Sequence, residues 1–173
     1  NPGAAARVVA IPRGVDVARF KPEAVAPSRM ADVRVEWRIH DPAAAGLLIL
    51  LPARMTGWKG HRQAIGAAAI LAKRDLPRWR MVFAGETGRK ENYVAELKER
   101  VSQERLEDKV PLVGHCNDMP AAFALADLVI APSIEPEAFG RVAAEAGALG
   151  KPVIASRLGG QKEVVIDGET GFL

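Results

Sequence analysis

The sequence is poor in several features that define common classes of protein. It has one cysteine, Cys116, in 173 residues, which excludes an internal disulfide and leaves a thiolate metal site without partners. No apolar run reaches the roughly 18 residues of a transmembrane helix, and the longest, residues 43–53, is interrupted by Gly46 and Pro52. Its 24 basic and 21 acidic residues give a formal net charge of only +3. This balance permits anionic ligands but is not the clustered basicity typical of nucleic-acid-binding proteins.

The overall composition is that of a globular domain. Hydrophobic residues make up 49% and charged residues 26%, which is close to average and excludes disorder, collagen and a coiled-coil rod. The length fits one domain, with room for part of another. Because the chain begins at Asn1 and stops at Leu173 with no polar tail, we expect it to be an excised segment of a longer protein.

Five apolar runs rich in Val, Ile and Leu predict strands that are buried on both faces, as in parallel sheets. They span residues 47–51, 81–84, 110–113, 128–131 and 152–155. Between them, the spacing of apolar residues predicts helices over residues 61–73, 90–103, 119–126 and 139–149. Strands that alternate with such helices indicate βαβ units. The predicted fold is therefore α/β, with a doubly wound, Rossmann-like parallel sheet.

The first 40 residues carry weaker patterns. Residues 7–11 favour a short strand, and Pro12 and Gly14 favour a turn after it. Residues 22–28 are typical of a linker and residues 32–39 of a helix. This part of the sequence is less regular than the rest.

Ligands of open α/β sheets bind beyond the carboxyl ends of the strands, so the loop after each apolar run is a candidate site. Residues 53–60 place Arg54 and Lys59 before a helix, where exposed amides and the helix dipole favour a phosphate. Alternatively, both are ordinary solvent-exposed cations. Residues 85–88 contain two glycines but neither GxGxxG nor a P-loop motif, which argues against NAD-dependent and P-loop nucleotidase functions.

The loops after the third and fifth runs carry weaker signals. His115 beside Cys116 lacks both the ligand spacing and the third partner of a metal or nucleophile site, so no metal is expected. Backbone groups of this loop can still line a pocket for a base. Gly159 and Gly160 form a glycine turn, which can approach a phosphate closely.

Two carboxylates follow the fourth run. On one helix, Glu137 and Glu145 would be separated by about 12 Å along the axis, too far to share one reacting bond. We expect Glu137 to precede the helix, Phe139 and Gly140 to form its first turn, and Glu145 to lie inside it. Glu145 falls at the edge of the apolar stripe, where a carboxylate is costly unless it is hydrogen-bonded. It is thus a candidate for binding hydroxyl groups, the alternative being an exposed or capped glutamate.

Together these segments resemble the C-terminal domain of the retaining glycosyltransferases with the GT-B fold, family 4 or group 1. The resemblance is strongest at Glu137-Ala-Phe-Gly140 with Glu145. It covers nearly the whole chain after residue 8, and the order and spacing of the segments make it specific. The other matching segments are Ile11–Asp16, where Arg13 replaces the more usual Asn, Phe20–Pro22, Arg54 with Lys59 and Gly60, residues 126–133, Gly150–Val153, Gly159 with Gly160, Glu163 and Asp167–Gly171.

The resemblance implies a hexosyltransferase that transfers sugar from a nucleotide diphosphate sugar with retention of anomeric configuration, using no metal or other cofactor. Residues 1–22 would be the tail of an upstream acceptor domain and a linker, and residues 23–173 a donor-binding domain that is incomplete at its C-terminus. The acceptor, a glycan, lipid or small molecule, would sit on the missing domain, so the fragment alone is expected to be inactive. The implied location is cytoplasmic, with membrane contact through the missing domain and no nucleic-acid partner.

The resemblance also implies a role for each candidate residue. Arg54 and Lys59 would neutralise the diphosphate, and Glu137 would hold hydroxyls of the transferred sugar. The remaining donor-binding residues would be Phe139 and Gly140, whose amides assist Glu137, Glu145 on the ribose hydroxyls, His115 in the loop that contacts the base, and Gly159 and Gly160 near the phosphates.

Two other functions stay open at this point. A non-catalytic nucleotide-binding or anion-binding module can share the fold, because fold alone does not fix function. The charged candidate residues are all present, namely Arg54, Lys59, Glu137 and Glu145, which argues against a site that has lost its catalytic residues. A GT-B relative of other chemistry, such as an inverting transferase or an epimerase, is disfavoured by the spacing of Glu137 and Glu145.

Overall fold

The structure, a computed structural model, describes residues 11, 13–39, 46–88 and 90–173. Within these residues lie six strands, and no helix there is long and apolar enough to cross a membrane. The strands are β1 Leu47–Pro52, β2 Trp79–Ala84, β3 Leu112–Gly114, β4 Leu128–Ala131, β5 Val153–Ala155 and β6 Gly171–Phe172. The α-helices are α1 Pro27–Glu36, α2 His61–Ala72, α3 Glu91–Gln103, α4 Met119–Leu125, α5 Arg141–Ala148 and α6 Gln161–Val164, and short 3-10 turns span Pro22–Ala24 and Gly57–Lys59.

The strands form one sheet in the order β3-β2-β1-β4-β5-β6, and every pair is parallel. On one side β1 pairs with β2, where Leu47 lies opposite Trp79, and on the other side with β4, where Ile49 lies opposite Leu128. The chain thus builds outward from β1 to β3 and then returns to the other side of β1. This is the strand order of a doubly wound Rossmann-like sheet, so the predicted fold class is confirmed.

Both faces of the sheet are covered, which explains the unbroken apolar runs. In β1, Leu48 and Leu50 belong to one core cluster, and Ile49 and Leu51 to the other, as the two-residue period of a strand requires. Helices α1, α4 and α5 contribute to the first cluster, and α2 and α3 to the second. A strand buried on both faces has no solvent side on which polar residues are needed.

The five predicted strands and the four predicted helices lie within two residues of their expected bounds. The two-residue strand β6 was not predicted. The predicted strand at residues 7–11 lies outside the described residues, apart from Ile11, which is in no regular element. The division of the chain at residue 22 stays a prediction.

The prediction for residues 22–39 was wrong in part. Residues 22–28 are not a linker, because they contain the 3-10 turn Pro22–Ala24 and the start of α1, which runs over Pro27–Glu36 rather than residues 32–39. The segment is structured because its apolar side chains are buried: Phe20, Val33 and Trp37 belong to the first core cluster. Proline at the start of α1 is compatible with a first helical turn, where its missing N–H has no partner to lose.

An ion pair fastens α1 to α4. The Arg29 guanidinium donates to both carboxylate oxygens of Asp118 at 2.6 Å and to the Ala24 carbonyl at 2.6 Å. Asp118 also caps α4 by accepting from the Ala121 N–H at 3.1 Å. Arg29 holds the pKa of Asp118 below its usual value, so this link persists throughout the neutral range.

Candidate functional site

Two loops separate at the carboxyl edge of the sheet and open a crevice. Strands β1 and β4 are neighbours, but the chain turns to opposite sides after them, so residues 53–60 and 132–140 diverge. Helices α2 and α5 follow these loops directly, with Gly60 and Gly140 at their N-cap positions and no side-chain cap on either. The first N–H groups of both helices therefore lack intrahelical partners and favour an anion.

Gly60 brings the two loops into contact. Its φ is +78°, and a Cβ at this position would overlap the carbonyl oxygen of Pro132. A backbone hydrogen bond of 2.8 Å from the Ile134 N–H to the Trp58 carbonyl joins the same loops again. This close approach places Lys59 beside the loop that follows β4.

The Glu137 carboxylate lies at the centre of a hydrogen-bond network. Its Oε1 accepts from Lys59 Nζ at 2.8 Å, from Ser133 Oγ, and from Gln161 Nε2 at 3.4 Å. The Lys59 and Glu137 side chains are only 12% and 11% exposed, and Nζ lies 4.1 Å from the centre of the Trp58 ring. A carboxylate at this depth is stable only with such partners. Within the described residues, Glu137 Oε2 accepts no hydrogen bond.

Gly159 and Gly160 hold the loop after β5 against the Glu137 segment. Gly159 forms an isolated parallel bridge with Glu137, and the Gly160 N–H donates to the Glu137 carbonyl at 2.7 Å. A Cβ on Gly160 would lie 2.6 Å from Cα of Phe139. Both glycines thus have a packing role, and their approach to a phosphate stays a prediction.

Glu145 lies inside α5 and is 8% exposed, at the edge of a packed face as expected. Its Oε1 accepts from Arg141, at 2.7 Å from Nη2 and 3.2 Å from Nε. The expectation for Phe139 and Gly140 was wrong, because α5 begins at Arg141 and both residues precede it. Gly140 has a φ of +83°, which is incompatible with a first helical turn.

The loops after β2 and β3 form the far wall of the site. His115 Nδ1 lies 3.6 Å from Glu86 Oε1, and these side chains are 55% and 62% exposed. Cys116 is buried beside them, and burial raises the pKa of its thiol. Over the described ranges, no group of three His, Cys, Asp or Glu side chains could hold a metal ion.

These walls enclose one open cleft with two lobes. The first, of about 330 Å³, includes Gly85, His115, Cys116 and Phe123. The second, of about 420 Å³, includes Trp58, Lys59, Glu137 and Gly140. The lobes adjoin each other, because both are lined by Pro52, Ala53, Arg54, Arg141, Val142 and Glu145.

The second lobe is electropositive. Among the described residues, its lining contains four cations and two carboxylates, and this excess of positive charge attracts an anionic ligand. The cations are Arg13, Arg54, Lys59 and Arg141, and the carboxylates are Glu137 and Glu145.

Comparison with known proteins decides the family. Residues 38–173 match the family of glycosyl transferases group 1. The chain belongs to this family. A D-inositol 3-phosphate glycosyltransferase of Pseudarthrobacter chlorophenolicus is 33% identical over 172 residues, which are 96% of this chain and 38% of the relative. The chain spans about two fifths of the length of the curated relatives it matches.

Solved structures of other glycosyltransferases share the fold. A glycosyltransferase from Rickettsia africae superposes with a TM-score of 0.84 at 32% identity, over 92% of this chain and 41% of that one. Alr3699/HepE of Anabaena, in complex with UDP and glucose, gives a TM-score of 0.78 at 32% identity, over the same shares of the two chains. The resemblance to the C-terminal domain of group 1 glycosyltransferases is therefore confirmed.

In this group 1 domain, the charged residues identified from the sequence line one cleft. Three further polar residues contact them and were missed: Ser133, Arg141 and Gln161. Arg141 and Glu145 are four positions apart, the spacing of a helical ion pair, so the sequence contained a signal for Arg141. Ser133 lies four positions before Glu137 in the same irregular loop, where no helical spacing predicts the contact. Gln161 meets Glu137 only through the packing of a separate segment.

A buried histidine underlies the cleft loop after β1. His61, the first residue of α2, is fully buried, and its ring centre lies 5.3 Å from that of Phe83 and 6.1 Å from that of Tyr93. In the described part of the chain, neither ring nitrogen makes a hydrogen bond of good geometry, although the backbone of Thr56 and Ala53 is near enough to oppose the effect of burial on the pKa. Burial lowers the pKa of His61 to about 4, and the Lys59 charge acts in the same direction. The ring is therefore neutral near pH 7.

Acid is expected to destabilise the chain through His61. Because the pKa falls from 6.5 unfolded to about 4 folded, the unfolded chain takes up the proton first. The stabilisation is complete above pH 6.5 and is lost as the pH falls toward 4, by on the order of 3 kcal/mol. Urea unfolding between pH 7.5 and 4 measures this, with His61→Phe as the variant that cannot titrate. If the free energy of unfolding fell equally with pH in the two proteins, His61 would not be the cause of the acid sensitivity.

Proposed function

We propose that this chain binds the donor, a nucleotide diphosphate sugar, in a hexosyltransferase of the retaining and metal-independent type. The observation that carries the proposal is the two-lobed cleft at the switch point of the sheet. Its lining brings a group of cations together with two carboxylates, Glu137 and Glu145. Phosphates and hydroxyls are the groups that this combination recognises.

The diphosphate belongs beside Arg54 and Lys59. Arg54 is exposed, lines both lobes and forms no ion pair within the described ranges, so it is available to an anion. When the bond between sugar and phosphate breaks, negative charge grows on the diphosphate leaving group. Cations fixed at that position stabilise the transition state more than the ground state. They supply the neutralisation that the proposal requires without a metal cofactor.

The nucleoside belongs in the first lobe and the sugar in the second. Glu145 lies on the lining shared by both lobes, where it can accept from the ribose hydroxyls, as carboxylates do in other doubly wound sheets. The base then extends toward His115 and Glu86. Glu137, with Gly140 beside it in the second lobe, is left for the hydroxyls of the transferred sugar. The Anabaena relative in complex with UDP-glucose supports this choice of donor class.

The acceptor is assigned to the rest of the enzyme. The relatives are about two and a half times as long as the matched segment, so we assign the acceptor, whether glycan, lipid or small molecule, to another domain. The 173-residue chain is then expected to bind donor without turnover. A cytoplasmic location, with any membrane contact made through that other domain, is part of the same proposal.

Calorimetric titration of the 173-residue chain with UDP, GDP and ADP tests the donor site. We expect UDP to bind, and Glu145→Gln to weaken it about 10- to 100-fold, because hydrogen bonds to charged groups are worth about 1.5–3 kcal/mol. Glu99→Gln, on the outer surface of α3, is the matched control and should leave the affinity unchanged. If none of the three nucleotides binds at millimolar concentrations, the proposal fails.

A further inference from the structure

We propose that Ser133 and Gln161 are positioning residues for the donor sugar. They fix the Glu137 carboxylate so that Oε1 is fully occupied and Oε2 alone receives a sugar hydroxyl. The inference rests on the proposed function, since it concerns the sugar part of the same donor.

Oε1 of Glu137 has no remaining capacity. Lys59 Nζ at 2.8 Å and Ser133 Oγ fill the two lone pairs of this oxygen, and Gln161 Nε2 makes a third, longer contact at 3.4 Å. These three hydrogen-bond donors come from three separate segments of the chain: the loop after β1, the loop after β4, and α6. A further hydroxyl can therefore bind only at Oε2, which accepts no hydrogen bond from the described residues.

The two uncharged hydrogen-bond donors to Glu137, Ser133 and Gln161, are held rigidly by burial. Ser133 is 2% exposed and Gln161 is fully buried. The Gln161 amide nitrogen also donates to the Ala131 carbonyl at 3.1 Å, so two acceptors fix which end of the amide faces Glu137. A flipped amide would direct its oxygen at a carbonyl and a carboxylate together, which is repulsive on both sides.

This rigidity matters because a glutamate carboxylate otherwise rotates broadly about its last torsion. Lys59 alone does not prevent rotation, since an ammonium on a flexible stem can follow either oxygen. Ser133 and Gln161, on fixed backbone, hold the plane of the carboxylate and hence the direction of Oε2. They thereby determine where a sugar hydroxyl must lie, while touching neither the sugar nor the nucleotide.

The test compares UDP-glucose with UDP by calorimetry on the 173-residue chain. Ser133→Ala and Gln161→Met each remove one hydrogen-bond donor to Glu137, and Glu137→Gln removes the charge of the carboxylate. Gln103 is an exposed residue of α3, and Gln103→Met is the matched control for Gln161→Met. We expect Ser133→Ala and Gln161→Met each to weaken UDP-glucose about three- to tenfold, the value of one hydrogen bond, with UDP affinity unchanged. Glu137→Gln should have a larger effect in the same direction, and Gln103→Met none.

Melting temperatures and circular dichroism check that each variant is folded. If Gln161→Met does not fold, Ser133→Ala still tests the inference. Equal losses of UDP and UDP-glucose affinity would show a merely structural role and overturn the inference, as would an unchanged ratio of the two affinities. If the wild-type chain binds GDP or ADP rather than UDP, the same comparison is made with that nucleotide and its glucose derivative. A wild-type chain that binds none of the three nucleotides would overturn the proposed function, and the inference with it, so the two failures are distinguishable.

Discussion

Alanine at Gly60 is expected to destabilise the chain by about 3 kcal/mol or more and to abolish UDP binding. The added Cβ would overlap the backbone carbonyl oxygen of Pro132, and the φ of +78° is itself unfavourable for alanine. Neither loop can yield easily, because the backbone hydrogen bond between Ile134 and Trp58 joins them on the other side of the contact. Separating them would move Lys59 away from Glu137. Urea unfolding and UDP calorimetry measure the two effects.

Gly66→Ala provides the matched control in the same helix. Gly66 lies in the interior of α2, and a Cβ there would meet no atom within 4 Å. Alanine should stabilise this position by up to about 1 kcal/mol, since glycine is a poor helix former, and should leave UDP binding intact. Equal stabilities of the Gly60→Ala and Gly66→Ala proteins would show that the contact with Pro132 does not matter.

The sheet could be predicted from the sequence because its determinants are local. In β1, five consecutive apolar residues and a following proline specify a strand buried on both faces, and in β4 four apolar residues precede Pro132. The carboxyl-edge rule then places Arg54, Lys59, Glu137 and Glu145 at one edge without further information. The roles proposed for these four residues came from the resemblance to group 1 glycosyltransferases, because the fold alone does not determine function.

The hydrogen-bond network around Glu137 could not be predicted in the same way. Gln161 and Glu137 are 24 positions apart and meet because Gly160 packs against the backbone of Phe139. The segment 22–39 was misjudged for a related reason: its two prolines and polar residues are typical of a linker, and burial of Val33 and Trp37 against the sheet outweighs that local preference. In both cases tertiary packing decides, and no spacing within the segment records it.

Removing the Lys59 charge is expected to have two separable effects. Lys59→Met leaves the Glu137 carboxylate, only 11% exposed, with two neutral donors, which should lower the free energy of unfolding by about 2–4 kcal/mol. It also removes a cation from the proposed diphosphate site, which should weaken UDP binding about 10- to 100-fold. The two effects have different origins: the first is the cost of an unpaired buried charge, and the second is the loss of a ligand contact.

The double variant Lys59→Met with Glu137→Gln separates them. Because no buried charge is left unpaired, most of the lost stability should return, whereas UDP affinity should stay low since the cation is still absent. Arg62→Met is the matched control. It breaks an ion pair with Glu96 in which the two side chains are 37% and 34% exposed, so it should have little effect on stability and none on UDP binding. If UDP affinity returned together with stability in the double variant, Lys59 would act on Glu137 alone and the diphosphate would have to be neutralised by Arg54 and Arg141.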